Sequence, residues 1–76
     1  MKKGTLKLNK MNDCYGIWDG ENWLDSGFHC GETLEIIINK TWVPTRMEMS
    51  WEDDGNKWYL VGIGFVGNLD GIIAKV

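Results

Sequence analysis

Little in this 76-residue chain is basic, sulfur-bearing or drawn out into long apolar runs. Cys14, His29 and Cys30 are its soft metal ligands, and a structural zinc site needs about four, usually in paired short spacings such as Cys-x-x-Cys. His29 and Cys30 are adjacent, and neighbours on a strand point to opposite faces, so they do not form a nucleophile–base pair. No phosphate-cradling glycine loop, nucleophile elbow or His-rich motif occurs. The chain is therefore expected to be no enzyme, to use no cofactor and to hold no metal. Arg46 is the sole arginine among 8 basic residues, and the formal net charge is -3 with a pI of about 4.9. That balance argues against direct nucleic-acid binding, for which Lys2, Lys3, Lys7 and Lys10 near one end would be the available cations. It favours a protein partner of neutral or basic surface.

The start, Met1-Lys2-Lys3 followed by Gly4-Thr5-Leu6-Lys7, lacks the apolar run of a signal peptide. No stretch approaches the roughly 20 apolar residues of a membrane span. A cytoplasmic protein with no membrane segment is expected, with reduced cysteines. Cys30 is expected to be a small buried residue.

What the chain does have is aromatic mass and turns. Five tryptophans, two tyrosines and two phenylalanines could furnish a compact core, and 10 glycines with 1 proline suit a chain that reverses often. No segment shows a sustained 3.6-residue apolar period. Short β-rich runs at 5–9, 15–19, 22–25, 33–39, 41–52, 57–65 and 71–76 are separated by turn residues, among them Asn12-Asp13, Gly20-Glu21, Ser26-Gly27, Asn39-Lys40 and Asp54-Gly55. The fold class expected is all-β, a single SH3-like barrel domain of five to six antiparallel strands over residues 1–76. Gly62, Gly64 and Gly67 mark corners or bulges.

Two turns fix registers. A hairpin at Asn39-Lys40 sets Ile36 against Val43, Leu34 against Thr45 and Ile37 against Trp42. One at Asp54-Gly55 sets Asp53 against Asn56, Glu52 against Lys57 and Trp51 against Trp58. Together they place Leu34, Ile36, Ile38, Val43, Met47, Met49 and Trp51 on a core face. Trp42, Pro44, Arg46, Glu48 and Ser50 fall on the other side, with Ile37, Tyr59 and Val61 beside them.

That second side is too apolar for a purely solvated face. Trp42, Ile37, Pro44, Arg46, Tyr59 and Val61 are the candidate binding residues, because exposed aromatics anchor interfaces out of proportion to their number. The competing reading packs this set beneath the amino-terminal segment. Glu48, Glu52, Asp53 and Asp54 form the densest acidic cluster; a charged hairpin tip ordinarily serves solubility and edge protection, and it can also dock on a basic partner. Two functions result: a non-enzymatic module binding a protein or peptide through the Trp42 face, and an inhibitor or regulator whose acidic surface blocks the nucleic-acid site of a host protein such as a nuclease.

Gly31-Glu32-Thr33-Leu34-Glu35-Ile36 followed by Trp42-Val43-Pro44-Thr45-Arg46-Met47 resembles the entry strands of SH3-like and Tudor-like barrels. The resemblance covers about half the chain and implies a fold that hosts many unrelated functions. His29-Cys30-Gly31-Glu32, Trp42-Val43-Pro44-Thr45-Arg46, Trp58-Tyr59-Leu60-Val61-Gly62 and Leu69-Asp70-Gly71 together resemble a small domain-of-unknown-function family of Gram-positive bacteria and their mobile elements. That resemblance covers most of the chain, brings no activity, and implies a phage, plasmid or integrated-element origin.

Overall fold

The structure is a computed structural model and describes residues 2–52, 55–64 and 68–76. Each expected β-rich run becomes one strand: β1 (Lys3–Asn9), β2 (Cys14–Trp18), β3 (Trp23–Asp25), β4 (Thr33–Ile38), β5 (Thr41–Glu52), β6 (Gly55–Leu60) and β7 (Ile73–Lys75). They form one antiparallel sheet in the order β3-β2-β1-β7-β4-β5-β6. No helix among the described residues is long and apolar enough to cross a membrane.

The β4–β5 hairpin has the expected register, Ile36 against Val43, Leu34 against Thr45 and Ile37 against Trp42. Its turn residues Asn39 and Lys40 sit at φ 50° and 65°. A two-residue turn with both centres at positive φ has the twist that antiparallel strands need, and Asn tolerates that region better than most residues.

The β5–β6 hairpin departs from expectation by two residues. Trp51 faces Asn56, Ser50 faces Lys57 and Met49 faces Trp58, while Glu52 faces Gly55. A slide of two keeps every side chain on its expected face but changes its neighbours. The Glu52–Lys57 and Trp51–Trp58 pairs would have supplied about 0.2–1 kcal/mol each. In the observed register the half-buried Trp58 indole packs against the core and donates to the Asp13 carbonyl at 2.8 Å, contacts from outside the hairpin that favour this register over the cross-strand pairs it gives up. Trp51 keeps the side its spacing assigned it but lies beyond the reach of the core and is left 76% exposed. Asp53, and with it the expected pairing to Asn56, lies outside the described residues.

Leu6, Tyr15, Ile17, Phe28, Leu34, Ile36, Met47, Leu60, Leu69 and Ala74 form the buried core. Ile17 on β2 and Leu60 on β6 share it although their strands stand far apart in the sheet, so the sheet curls over its own inner face. The all-β class holds, with seven strands among the described residues rather than five or six, and the barrel is not closed: β3 and β6 stand at the two edges of the sheet. Closure by strand pairing is replaced by plugs. Phe28 and Leu69, both 0% exposed, enter the core from segments outside the strands. The Phe28 N–H donates to the Tyr15 carbonyl at 2.7 Å, and the Leu69 N–H to the Tyr15 hydroxyl at 3.1 Å.

The chain leaves β6 at Leu60 through Gly62 and Gly64, which occupy positive φ (79° and 87°) as a tight corner requires. Gly67 lies outside the described residues. Two further expectations fail. Cys30 is exposed instead of buried, because residues 29–32 form a turn at the surface. The buried core contains no tryptophan among the described residues, its aromatic members being Tyr15 and Phe28.

Candidate functional site

Alternation along the strands gives the sheet a core side and an outer side, and the tryptophans missing from the core are mostly on the outer side. Trp18 on β2 pairs with Trp23 on β3, the two rings meeting edge to face at 5.1 Å between centroids. Trp42 lies across from Ile37 on β5 and β4. All three are half-buried. Between them the pairs Thr5–Trp18 and Thr5–Ile73 carry the outer row inward from β2 to β7. One step beyond the Ile36–Ala74 pair, Ile73 comes alongside Ile37. The row therefore reads Trp23, Trp18, Thr5, Ile73, Ile37, Trp42 across six strands.

Lysines from the neighbouring outer positions lie over the indoles. The Lys7 ammonium is 4.2 Å from the Trp18 ring centroid, and the Lys75 ammonium is 4.2 Å from that of Trp42, with Lys3 at 5.8 Å. Each contact is worth about 0.5–1 kcal/mol at an exposed site. These placements follow from register: Lys3 pairs with Lys75, Lys75 with Glu35 and Glu35 with Pro44, forming the row next to Trp42. The amino-terminal strand reaches Trp42 through the Lys3 side chain. Trp42 is half-buried, with the Lys75 and Lys3 ammonium groups over its ring.

The face is bounded at the β2 end. A Cβ built on Gly16, the partner of Lys7, would collide with the Asp25 carbonyl oxygen, so residues 25 and 26 pass close over β2 there. Asn9, itself 8% exposed, anchors that segment by donating to the Ser26 carbonyl at 2.9 Å. Shallow grooves flank each lysine–indole cluster. One of about 380 Å³ runs along Thr5, Lys7, Lys10 and Gly71, and one of about 330 Å³ along Glu35, Pro44, Thr45 and Lys75.

Of the residues expected to bind, Trp42, Ile37, Pro44, Arg46, Tyr59 and Val61 do share the outer side. Glu48 faces Tyr59, and the Val61 N–H donates to the Arg46 carbonyl at 3.1 Å. Arg46 and Glu48 neutralise one another, Nε to Oε2 at 2.8 Å. Within the expected acidic cluster, Glu48 is therefore already paired. Asp53 and Asp54 lie outside the described residues, and Glu52 is placed only as the backbone partner of Gly55.

Trp18, Trp23, Lys3, Lys7, Lys75, Thr5 and Ile73 were not expected here. Two signals for them exist in the sequence: the tryptophan-flanked turn from Trp18 to Trp23, and the alternation Lys3, Thr5, Lys7. Neither tells which strands lie between β2 and β5, so neither could join these residues to Trp42.

The titratable groups elsewhere are turn-builders. Asp19 Oδ1 accepts the backbone N–H groups of Asn22 and Glu21 at 2.6 and 2.8 Å, which holds its carboxyl below the usual range. Glu32 is held low by the His29 ring, 2.7 Å away, and by the His29 N–H at 3.0 Å. Burial, with Asp13 nearby, pushes the Cys14 thiol up and away from the reactive thiolate. What the outer face offers chemically is stacking surface, apolar contact and ammonium charge.

A crystal structure of a protein from Ruminococcus gnavus has the same fold, at 36% identity and a TM-score of 0.76, covering 97% of this chain and 99% of that one. No curated protein matches. Residues 4–76 match the family described as domain of unknown function DUF5348, and the chain belongs to that family.

Proposed function

We propose that the chain is a non-catalytic interaction module that presents the outer face of its sheet, centred on Trp42, to a protein or peptide. One observation carries this reading: Trp18, Trp23 and Trp42 stand half-buried on that face while the core is built without tryptophan among the described residues. A small domain gains most from a large aromatic by burying it fully. Tryptophans kept at the surface on a rigid sheet are instead suited to anchoring a partner, with little side-chain entropy to lose. Ile37 and Pro44 extend the apolar contact beside Trp42, while Arg46, Val61 and Tyr59 continue the same side further along β5, Tyr59 opposite Glu48.

The test is affinity capture from the native host with wild type and Trp42→Ala in parallel. Trp42→Ala is expected to keep a cooperative unfolding transition and to lose capture, the cost of an anchoring tryptophan being about 2 kcal/mol or more. Capture undiminished by the substitution, or loss of folding with it, overturns the reading.

A second reading, an acidic inhibitor encoded by a mobile element, rests on the net charge of -3 and on Glu48, Glu52, Asp53 and Asp54. It requires a complex that weakens steeply with salt and with neutralisation of those carboxylates. The Arg46–Glu48 pair counts against Glu48 as a free contributor.

A further inference from the structure

We infer that the outer face is also a track for single-stranded nucleic acid, running from Trp23 and Trp18 across Thr5 and Ile73 to Trp42. The inference shares a face with the module proposed above but does not depend on its protein partner. Net charge alone argues the other way, yet the charges are sorted by place. Among the described residues the outer strand positions carry Lys3, Lys7, Lys75, Arg46 and Lys57 against Glu35, Glu48 and, at the far end of β5, Glu52. The carboxylates of Asp13, Asp19, Glu21, Asp25, Glu32 and Asp70 lie in the turns and at strand ends.

Single strands are bound without sequence readout by aromatic rings on which bases stack and by cations that follow the phosphates. Both are present in alternation. Trp18 and Trp42 are separated by β1, β7 and β4; four strand spacings of about 4.8 Å give roughly 19 Å, room for several nucleotides between two stacking platforms. Thr5 and Ile73 on the intervening row carry no charge, and Ile73 is 43% exposed. In the free protein the ammonium groups of Lys7 and Lys75 cover the indoles. A phosphate draws the ammonium outward and leaves the ring to a base, and base stacking is the stronger of the two contacts.

An acidic peptide would satisfy the lysines as well, but it has no use for two separated flat platforms.

The experiment is titration with a thymidine oligonucleotide of about 12 nucleotides, a length within the usual site range, followed by tryptophan quenching and by anisotropy. Binding is expected, with log K falling against log salt at a slope of about -2 for three phosphates neutralised at about 0.7 each. Trp18→Ala should weaken it about fivefold or more, Trp18→Phe should restore most of the loss, and Trp51→Ala, off the face, should change nothing.

The inference is overturned by no binding at low salt, by equal weakening by Trp51→Ala, or by polyglutamate binding with the same slope and no tryptophan quenching. Equal affinity for a duplex of the same length overturns it as well, since stacking would then play no part. Loss of oligonucleotide binding in every form while Trp42→Ala still abolishes protein capture would sink this inference and leave the protein-binding module standing.

Discussion

Glu32 shows how one side chain can organise a surface turn. Its Oε1 accepts both the backbone N–H and the ring Nδ1 of His29, and the Glu32 N–H returns a bond to the His29 carbonyl at 3.1 Å. These bonds favour the ionised carboxylate, so its affinity for a proton is lower folded than unfolded. A carboxyl lowered on folding stabilises the fold above its unfolded value and loses that contribution as pH falls through the folded value. Stability is therefore expected to drop on acidification below the ordinary carboxylate range, with Asp19 contributing in the same window. In Glu32→Gln, urea midpoints measured across that range should fall less steeply than in wild type. An unchanged slope would mean that the turn does not depend on the ionised form.

At the scale of the element, the β4–β5 hairpin joins a favourable sequence pattern to an awkward turn. Its strands pair as the alternation requires, but Lys40 sits at φ 65° without the freedom of glycine. A left-handed conformation costs an ordinary L-residue about 1–2 kcal/mol, of which glycine recovers part, less its own unfolded-state entropy of about 0.5–1 kcal/mol. Lys40→Gly is expected to stabilise the domain by up to about 1 kcal/mol, read as a higher urea midpoint with unchanged m. The β5–β6 hairpin shows the opposite balance. Its turn residues and cross-strand partners suggested one register, and contacts made outside the hairpin, by Trp58 with the core and with Asp13, selected another.

For the whole molecule, the decisive contacts are those that join distant parts of the chain without strand pairing. Tyr15 on β2 receives the Leu69 N–H across 54 residues in a buried setting, holding the segment around Leu69 against the sheet beside β1. Tyr15→Phe preserves the ring and removes the acceptor, leaving that N–H buried without its Tyr15 partner. The expected cost is about 1–3 kcal/mol, a large share of the stability of so small a domain. Thermal or denaturant unfolding monitored by circular dichroism checks it, and a cost near zero would mean that the hydroxyl bond is replaced on mutation.

Much of the fold is written locally. Each of the seven strands overlaps a run visible as an alternating or β-branched segment between turn residues; 41–52 matches β5 end to end, whereas β6 begins two residues before its run, at Gly55, and ends at Leu60. The outer placement of Trp42, Ile37, Pro44, Arg46, Tyr59 and Val61 was legible because a period of two depends only on parity, which the two-residue slide of β6 preserves. Trp51 was misplaced for a related reason: parity tells which face a residue takes, but not how far along a long strand the core extends.

By itself, then, the sequence determined the strands, the β4–β5 register and the side of the sheet to which each residue belongs, since these follow from backbone geometry and near neighbours. Only the tertiary structure decided which strands stand side by side. The insertion of β1 and β7 between β2 and β4 brings Trp18, Lys7, Lys3 and Lys75 onto one face with Trp42. Strand order is set by burial of Leu6, Ile17, Met47, Leu60 and Ala74 in a common core, and that burial depends on residues far apart in the chain.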